Sequence, residues 1–451
     1  PCVAWSIHRP RARTSLRVVD RRRPQLVLLT ESFPFYGPDD PFLPREVEVL
    51  SRHFDIHFVP TGPITDKRLC VLEASQTLDV LLSQSSRSAR GAGPIVRNMF
   101  AGGVSRELRD QSMGSATVRA IVARRWARVR AGRLWAQKQL LPALQNHSTI
   151  VYSWWSVPEA LGVAEQLQST DVPMVTRMHG YDLYGEQDRL GFVPFQRQLI
   201  ESVDKVFPAS RAGERYLQSR YPDLVDKLSV AYLGVERPHA MSIPSNDEIF
   251  RIVSCSLLVP VKRIGLLVDA LRILGTRGVQ FEWTHLGDGP ERSKIEAQAA
   301  VLGGKARFLG QIPPDEVRPW LTRNPIDVFC NVSASEGGAP VALMEAASCG
   351  IPLFATDAGG NNEIVDDSVG RLIPGSSGPE GVADALADMA RESEVTRNQW
   401  RRRSLERWQS TFDAESNYEA FAGNLMSFLV ENRSLDRQSA RLGSQEKPVD
   451  L

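Results

Sequence analysis

The sequence predicts an α/β protein built from two doubly wound, Rossmann-like domains, and three observations carry that expectation. Short β-branched runs alternate with longer amphipathic stretches along most of the chain, a pattern that makes parallel sheets with helices on both faces. The alternation restarts after the polar stretch Ser242–Glu248, which reads as a linker. A chain of 451 residues also suits two domains better than one.

The elements follow in order. Gln25–Thr30, Asp55–Val59, Thr149–Tyr152, Pro173–Arg177 and Asp204–Phe207 read as buried strands of the first domain, expected over 25–245. Pro41–Arg52, Pro158–Gln168, Pro194–Ser202 and Ser210–Arg220 read as its helices, three of them opening on a proline that the first helical turn tolerates. The second domain, expected over 246–395, offers strands at Phe250–Cys255, Phe281–Leu286, Ala306–Leu309, Asp327–Asn331, Pro352–Thr356 and Arg371–Ile373. Helices fill the gaps near 264–275, 290–301, 315–322, 340–348 and 378–391, and further helical sequence covers 396–432. Within it, Asp413–Leu429 has Asp413 as N-cap and apolar Tyr418, Phe421, Leu425 and Phe428 at helical spacing. Residues 1–24 and 433–451 are polar and aperiodic and are expected to be disordered ends.

Composition narrows the function. Hydrophobic residues make up 42% and charged residues 24%, as in a globular enzyme. Lys and Arg number 54 against 53 Asp and Glu, a balance that argues against a nucleic-acid partner. No apolar run approaches the roughly 20 residues that a spanning helix needs. Cys2, Cys70, Cys255, Cys330 and Cys349 show no CxxC spacing; the last three sit in apolar contexts and read as reduced thiols of a cytoplasmic protein. Between Val118 and Gln139 stand Arg119, Arg124, Arg125, Arg128, Arg130, Arg133 and Lys138 without one carboxylate, beside a partial stripe of Val118, Val122, Trp126 and Val129. That segment reads either as a binder of an anionic membrane surface, on the inner face, or as a solvated helix packed on the first domain.

Ligands of doubly wound sheets sit at the carboxyl ends of strands, so the cleft between two facing sheets is the expected site. The sharpest constellation there is Ser335-Glu336-Gly337-Gly338-Ala339-Pro340-Val341-Ala342-Leu343-Met344-Glu345-Ala346, after the strand DVFCN. A strand, two glycines and a helix start offer backbone N–H groups and a positive dipole end to a diphosphate. Glu336 precedes that anion site and is better suited to a neutral hydroxyl, whereas Glu345, in an otherwise apolar helix, suits ribose hydroxyls. Lys262 and Arg263 open another helix, where two cations oppose the dipole and an anionic ligand would resolve the conflict, with lysine as point charge and arginine as fork. Gly287-Asp288-Gly289-Pro290 and Gly359-Gly360, the latter with Glu363 after it, are further strand-end loops that serve either a ligand or a turn. The absence of GxGxxG disfavours a nicotinamide dehydrogenase. In the first domain, Arg177-Met178-His179-Gly180-Tyr181-Asp182 ends a strand, and a histidine in that place is a functional candidate.

Together these residues resemble the retaining nucleotide-sugar glycosyltransferases of family 4, which have the GT-B fold. The resemblance spans about Pro24 to Leu429 and rests on SEGGAPVALMEAASCGIP, LVPVKR, THLGDGPE, ATDAGGNNEIV, MHGYDLY and LTESFPFYG. It implies a second domain that binds a UDP- or GDP-sugar, a first domain that binds a saccharide or lipid-linked acceptor, and a last helix that crosses back to the first domain. By the same resemblance Glu336, His179 and Lys262 carry catalysis. Arg263, Gly287, Asp288, Gly337, Gly338, Glu345, Gly359 and Gly360 bind the donor, and Gly37, Tyr181 and Asp182 face the acceptor. No metal or cofactor is implied, because cations and helix ends neutralise the leaving diphosphate.

Three departures stand out. Gly337–Met344 separate the two glutamates by one residue more than the family spacing. Leu257 replaces an arginine often found before the lysine turn, with Arg263 expected to supply the charge. Gly37-Pro38-Asp39-Asp40 stands where Gly-Gly-Glu is common. A nucleotide-sugar 2-epimerase of the same fold and a catalytically lapsed sugar-nucleotide-binding subunit are the rival readings.

Overall fold

The computed structural model describes residues 23–37, 42–66, 68, 76–89, 91–111, 113–144 and 148–443. Of the ends expected to be disordered, 1–24 and 433–451, residues 1–22 and 444–451 lie outside them, as do the prolines and acids at 38–41 and Cys2 and Cys70, whereas 433–443 is helical. The chain divides into two compact units. One takes in the chain through Arg177, Val193–Val206 and the stretch from Ala422 onward; the other comprises Met178–Phe192 and Phe207–Phe421.

The first series of elements runs β1 (Gln25–Thr30), α1 (Leu43–Leu50), β2 (Asp55–Pro60), β3 (Thr77–Leu78), α2 (Leu81–Ala89), α3 (Ala92–Asn98), α4 (Gly102–Asp110), α5 (Ala116–Trp135), a π-turn over Ala136–Leu140, α6 (Leu141–Ala143), β4 (Thr149–Ser153), α7 (Pro158–Leu167), β5 (Met174–Met178), α8 (Gln196–Ser202), β6 (Lys205–Pro208) and α9 (Arg211–Arg220). The strands form one six-stranded sheet in the order β3-β2-β1-β4-β5-β6. β1 is flanked by parallel partners on both sides, with Leu26 opposite Ile56 and Ile150. Strands covered on both faces are apolar throughout, and Leu26, Val27 and Leu28 have no exposed surface.

The second series runs β7 (Phe250–Cys255), α10 (Ile264–Thr276), β8 (Phe281–Leu286), α11 (Arg292–Ala299), β9 (Ala306–Phe308), α12 (Pro314–Arg323), β10 (Val328–Asn331), α13 (Val341–Ser348), β11 (Leu353–Asp357), β12 (Gly370–Pro374), α14 (Pro379–Arg391), α15 (Glu394–Thr411) and α16 (Ala414–Gly443). Its sheet has the order β12-β11-β10-β7-β8-β9, and its pairs are parallel. Leu267, Leu271 and Leu274 of α10 pack with Trp283, Val328 and Leu386 in its core. β7, β8, β10 and β11 are neighbours, so the loops at their carboxyl ends share one edge of the sheet.

Three sequence expectations change. Pro194 does not open a helix: Phe195 intervenes in the left-handed region at φ 67° and α8 starts at Gln196. The terminal helix passes Leu429 and runs to Gly443, because no proline interrupts it. The apolar stripe of α5 is spent on packing within its own unit: Val122 and Val129 are fully buried, and the Trp126 ring lies 5.3 Å from that of Phe195. Several α5 cations pair inside the unit as well, with Arg128 donating to Glu159 at 2.7 Å and Arg133 to Glu165 at 3.1 Å. The stripe therefore faces protein, the packed-helix alternative. Among the described residues no helix is long and apolar enough to cross a membrane.

Candidate functional site

Two strand-end loops meet at an ion pair. After β7 the chain makes a short turn over Pro260–Lys262; after β10 it runs through Ser335–Pro340 into α13. Ala334 N–H donates to Val261 O at 2.8 Å and joins the loops. Lys262 Nζ then donates to both carboxylate oxygens of Glu336, at 2.6 and 2.8 Å. Glu336 is only 7% exposed, and a buried carboxylate needs such compensation. Asn331, the last residue of β10, adds a hydrogen bond from Nδ2 to Glu336 Oε1 at 3.0 Å while its own Oδ1 accepts from Ser333 N–H. Asn331 was missed in the sequence; its signal is a polar side chain closing an apolar strand.

The Glu336 loop is held by close backbone contact. A Cβ on Gly337 would lie 2.5 Å from Gly180 Cα and 2.8 Å from His179 O, so only glycine fits there. Gly359 sits at φ 55°, and its Cβ would lie 1.9 Å from Glu336 O. Gly338 and Gly360 belong to the same meeting of loops: a Cβ on Gly360 would lie 2.4 Å from the Gly338 carbonyl carbon. The structure thus brings Lys262, Glu336, Gly337, Gly338, Gly359 and Gly360 together with the His179–Gly180 segment, all in one unit.

Arg263 has a different task from the anion fork expected of it. Its Nε donates to Val332 O at 2.7 Å, one terminal nitrogen to Gly375 O at 2.9 Å and the other to Ser333 O at 3.1 Å. These bonds hold a non-glycine residue at φ 49°, where a side chain costs about 1–2 kcal/mol. Arg263 therefore clamps the β10 loop by its carbonyls. Gly287 and Asp288 follow β8. Asp288 accepts from Gly289 N–H at 2.7 Å and from Arg292 at 2.8 Å, and these bonds hold its carboxyl below the usual range.

Glu345 is the fifth residue of α13. Loss of water pushes its carboxyl up to about 7, offset in part by the charge of Arg318. Among the described residues no donor reaches its carboxylate. Nearby Cys255 is pushed up to about 12, chiefly by burial and then by the Glu345 charge; Cys255, Cys330 and Cys349 are free thiols.

His179 is 9% exposed, and its backbone N–H donates to Asp182 Oδ1 at 2.9 Å, while Nδ1 stands 4.0 Å from Asp182 Oδ2. Asp182 is buried and orients this turn; Tyr181 beside it is 47% exposed. Gly37 lies in the β1–α1 loop of the other unit and is not among the residues brought together here. Glu363 caps α9, accepting from Arg211 and Ala212 N–H at 2.9 and 2.8 Å and from Tyr232 Oη at 2.6 Å. Among the described residues no group of three or more His, Cys, Asp or Glu side chains could hold a metal ion.

Two parallel six-stranded α/β sheets, each Rossmann-like, place the protein in the GT-B fold class. Residues 250–392 match the family described as Glycosyl transferases group 1. That range contains Lys262, Glu336 and Glu345. The chain is 31% identical over 221 residues to the amylovoran biosynthesis glycosyltransferase AmsK of Erwinia amylovora, covering 47% of this chain and 53% of AmsK. It spans about half the length of the curated relatives it matches. Among solved structures, the lipopolysaccharide outer core galactosyltransferase WaaB in its apo form aligns over 89% of this chain and 99% of its own, with a TM-score of 0.63 and 14% identity. HepE of Anabaena in complex with UDP covers 89% and 100%, with a TM-score of 0.61 and 16% identity.

Proposed function

We propose that the chain is a retaining, family 4 glycosyltransferase of polysaccharide biosynthesis. It moves a hexosyl unit from a UDP- or GDP-sugar to a hydroxyl of a saccharide or lipid-linked acceptor. The observation that carries the reading is the Lys262–Glu336 pair beside the start of α13, with Glu345 in the same helix. The family domain, the AmsK similarity and the UDP held by HepE support it.

A lysine ammonium has three N–H donors, and Glu336 takes two of them. The third can meet the diphosphate as negative charge grows on the leaving oxygen, with the free N–H groups of the α13 start. Glu336, held in place by Lys262 and Asn331, accepts from a hydroxyl of the donor sugar. Glu345 accepts from the ribose, and His179 contacts the donor sugar or the incoming acceptor hydroxyl. Lys262 and the helix start supply the charge that a metal provides elsewhere, so the reaction proceeds without one.

The test is transfer from UDP- and GDP-sugars to saccharide and lipid-linked acceptors, with chelator present. Product with retained anomeric configuration supports the reading. Donor conversion to a 2-epimer without acceptor would replace it with the epimerase. Nucleotide binding without transfer or hydrolysis would leave a lapsed binding subunit.

A further inference from the structure

A groove in the first unit has a composition that nothing in the transferase chemistry requires. It lies among α2, α3, α5 and the π-turn, encloses about 420 Å³ and has apolar walls that include Leu81, Pro94, Leu134 and Trp135. That size is within the range of small-ligand sites. Arg97, Arg130 and Lys138 also line it, and no carboxylate does. Among the described residues none of these three cations pairs with an acid; Arg130 instead donates to the neutral Asn98 amide oxygen at 3.0 Å. Neighbouring charges are already matched, Arg128 by Glu159 and Arg133 by Glu165, and Asp79 accepts from the Trp135 indole N–H at 2.9 Å.

The local backbone points the same way. The π-turn over Ala136–Leu140 interrupts a regular helix and carries Lys138 and Gln139 into the lining, and such turns are frequent at functional sites. Leu134 remains 49% exposed at the groove although Trp135 beside it is 4% exposed. Unpaired cations beside uncovered apolar walls fit a ligand that carries both an anion and a hydrocarbon chain.

We propose that this groove binds a single-chain lipid phosphate, with the phosphate on Arg97, Arg130 and Lys138 and the chain along Leu134 and Trp135. A free anion would leave the apolar walls in water, and a neutral lipid would leave three cations unmatched. The proposal does not depend on the transferase reading.

Calorimetric titration of the intact chain with dodecyl phosphate below its micelle concentration tests it, beside dodecyl maltoside and inorganic phosphate. Dodecyl phosphate should saturate one site. Removing two exposed cations, in Arg97→Gln with Lys138→Gln, should weaken it about tenfold or more. Leu134→Asp, at a half-exposed position, should weaken it similarly, and an unchanged melting temperature reports intact folding in both variants. Equal affinity in wild type and variants would overturn the proposal. Dodecyl maltoside binding as tightly would also overturn it, and inorganic phosphate binding as tightly would reduce the groove to a free-anion site. A chain that binds dodecyl phosphate but no sugar nucleotide would keep this inference and sink the transferase reading.

Discussion

Lys262 Nζ lies 2.6 and 2.8 Å from the two carboxylate oxygens of Glu336, an ion pair between loops that follow β7 and β10. Its strength comes from burial on the Glu336 side, where water cannot compete. Lys262→Ala removes both the partner of a buried carboxylate and a cation for the leaving group. Turnover should fall about 100-fold or more, read as kcat with a sugar-nucleotide donor. A variant with unaltered kcat would separate Lys262 from the chemistry.

Arg263→Gln provides the contrast. Arg263 spends its nitrogens on three backbone carbonyls, so its loss should cost stability, about 2 kcal/mol, and leave kcat much less affected than Lys262→Ala does. Urea unfolding measures the first quantity. A large drop in nucleotide affinity at full stability would return Arg263 to the anion-fork role.

Glu345 makes stability fall as pH rises. Burial lifts its folded-state pKa from 4.5 to about 7, so between those values the folded chain holds a proton that the unfolded chain has lost, and each step up in pH favours unfolding. The penalty is absent below about 4.5 and complete above about 7. Glu345→Gln should flatten the melting temperature across this window, relative to wild type, in thermal scans without ligand. Parallel curves would show that the carboxyl titrates elsewhere.

Gly359→Ala should loosen the Glu336 loop. The new Cβ would meet Glu336 O at 1.9 Å in a left-handed backbone, a strain of about 2 kcal/mol or more. Chemical denaturation gives the cost directly, and an unchanged midpoint would mean that the loops part without penalty.

His179→Ala should lower turnover while nucleoside-diphosphate affinity stays nearly constant, since the contact with the Gly337 turn is made by the His179 backbone carbonyl, which the substitution keeps. Steady-state kinetics with parallel UDP and GDP titration distinguish the outcomes. Joint loss of binding and turnover would make the residue structural.

Local pattern was legible in the strands. β1, β7 and β8 match their expected spans Gln25–Thr30, Phe250–Cys255 and Phe281–Leu286 to the residue, β1 because it is a continuous apolar run and β7 and β8 because polar residues interleave with buried apolar ones in a short segment. α2, α3 and α4 were not read: segments such as Leu81–Ala89 (LLSQSSRSA) carry few apolar residues, and tertiary contact rather than periodicity stabilises them. The stripe on α5 was legible as a stripe, but not its partner, because a lipid surface and a protein surface select the same apolar residues.

By itself the sequence determined the two strand–helix series, the glycine-bearing turns at strand ends and the candidates Lys262, Glu336 and Glu345, since these depend on neighbours along the chain. Tertiary structure alone decided which of them touch. Lys262 and Glu336 are 74 positions apart and meet because β7 and β10 are adjacent in the sheet. Strand order likewise aims Arg263 at the carbonyls of the β10 loop. Pairing between distant strands is set by the packing of whole faces, and no spacing along the chain encodes it.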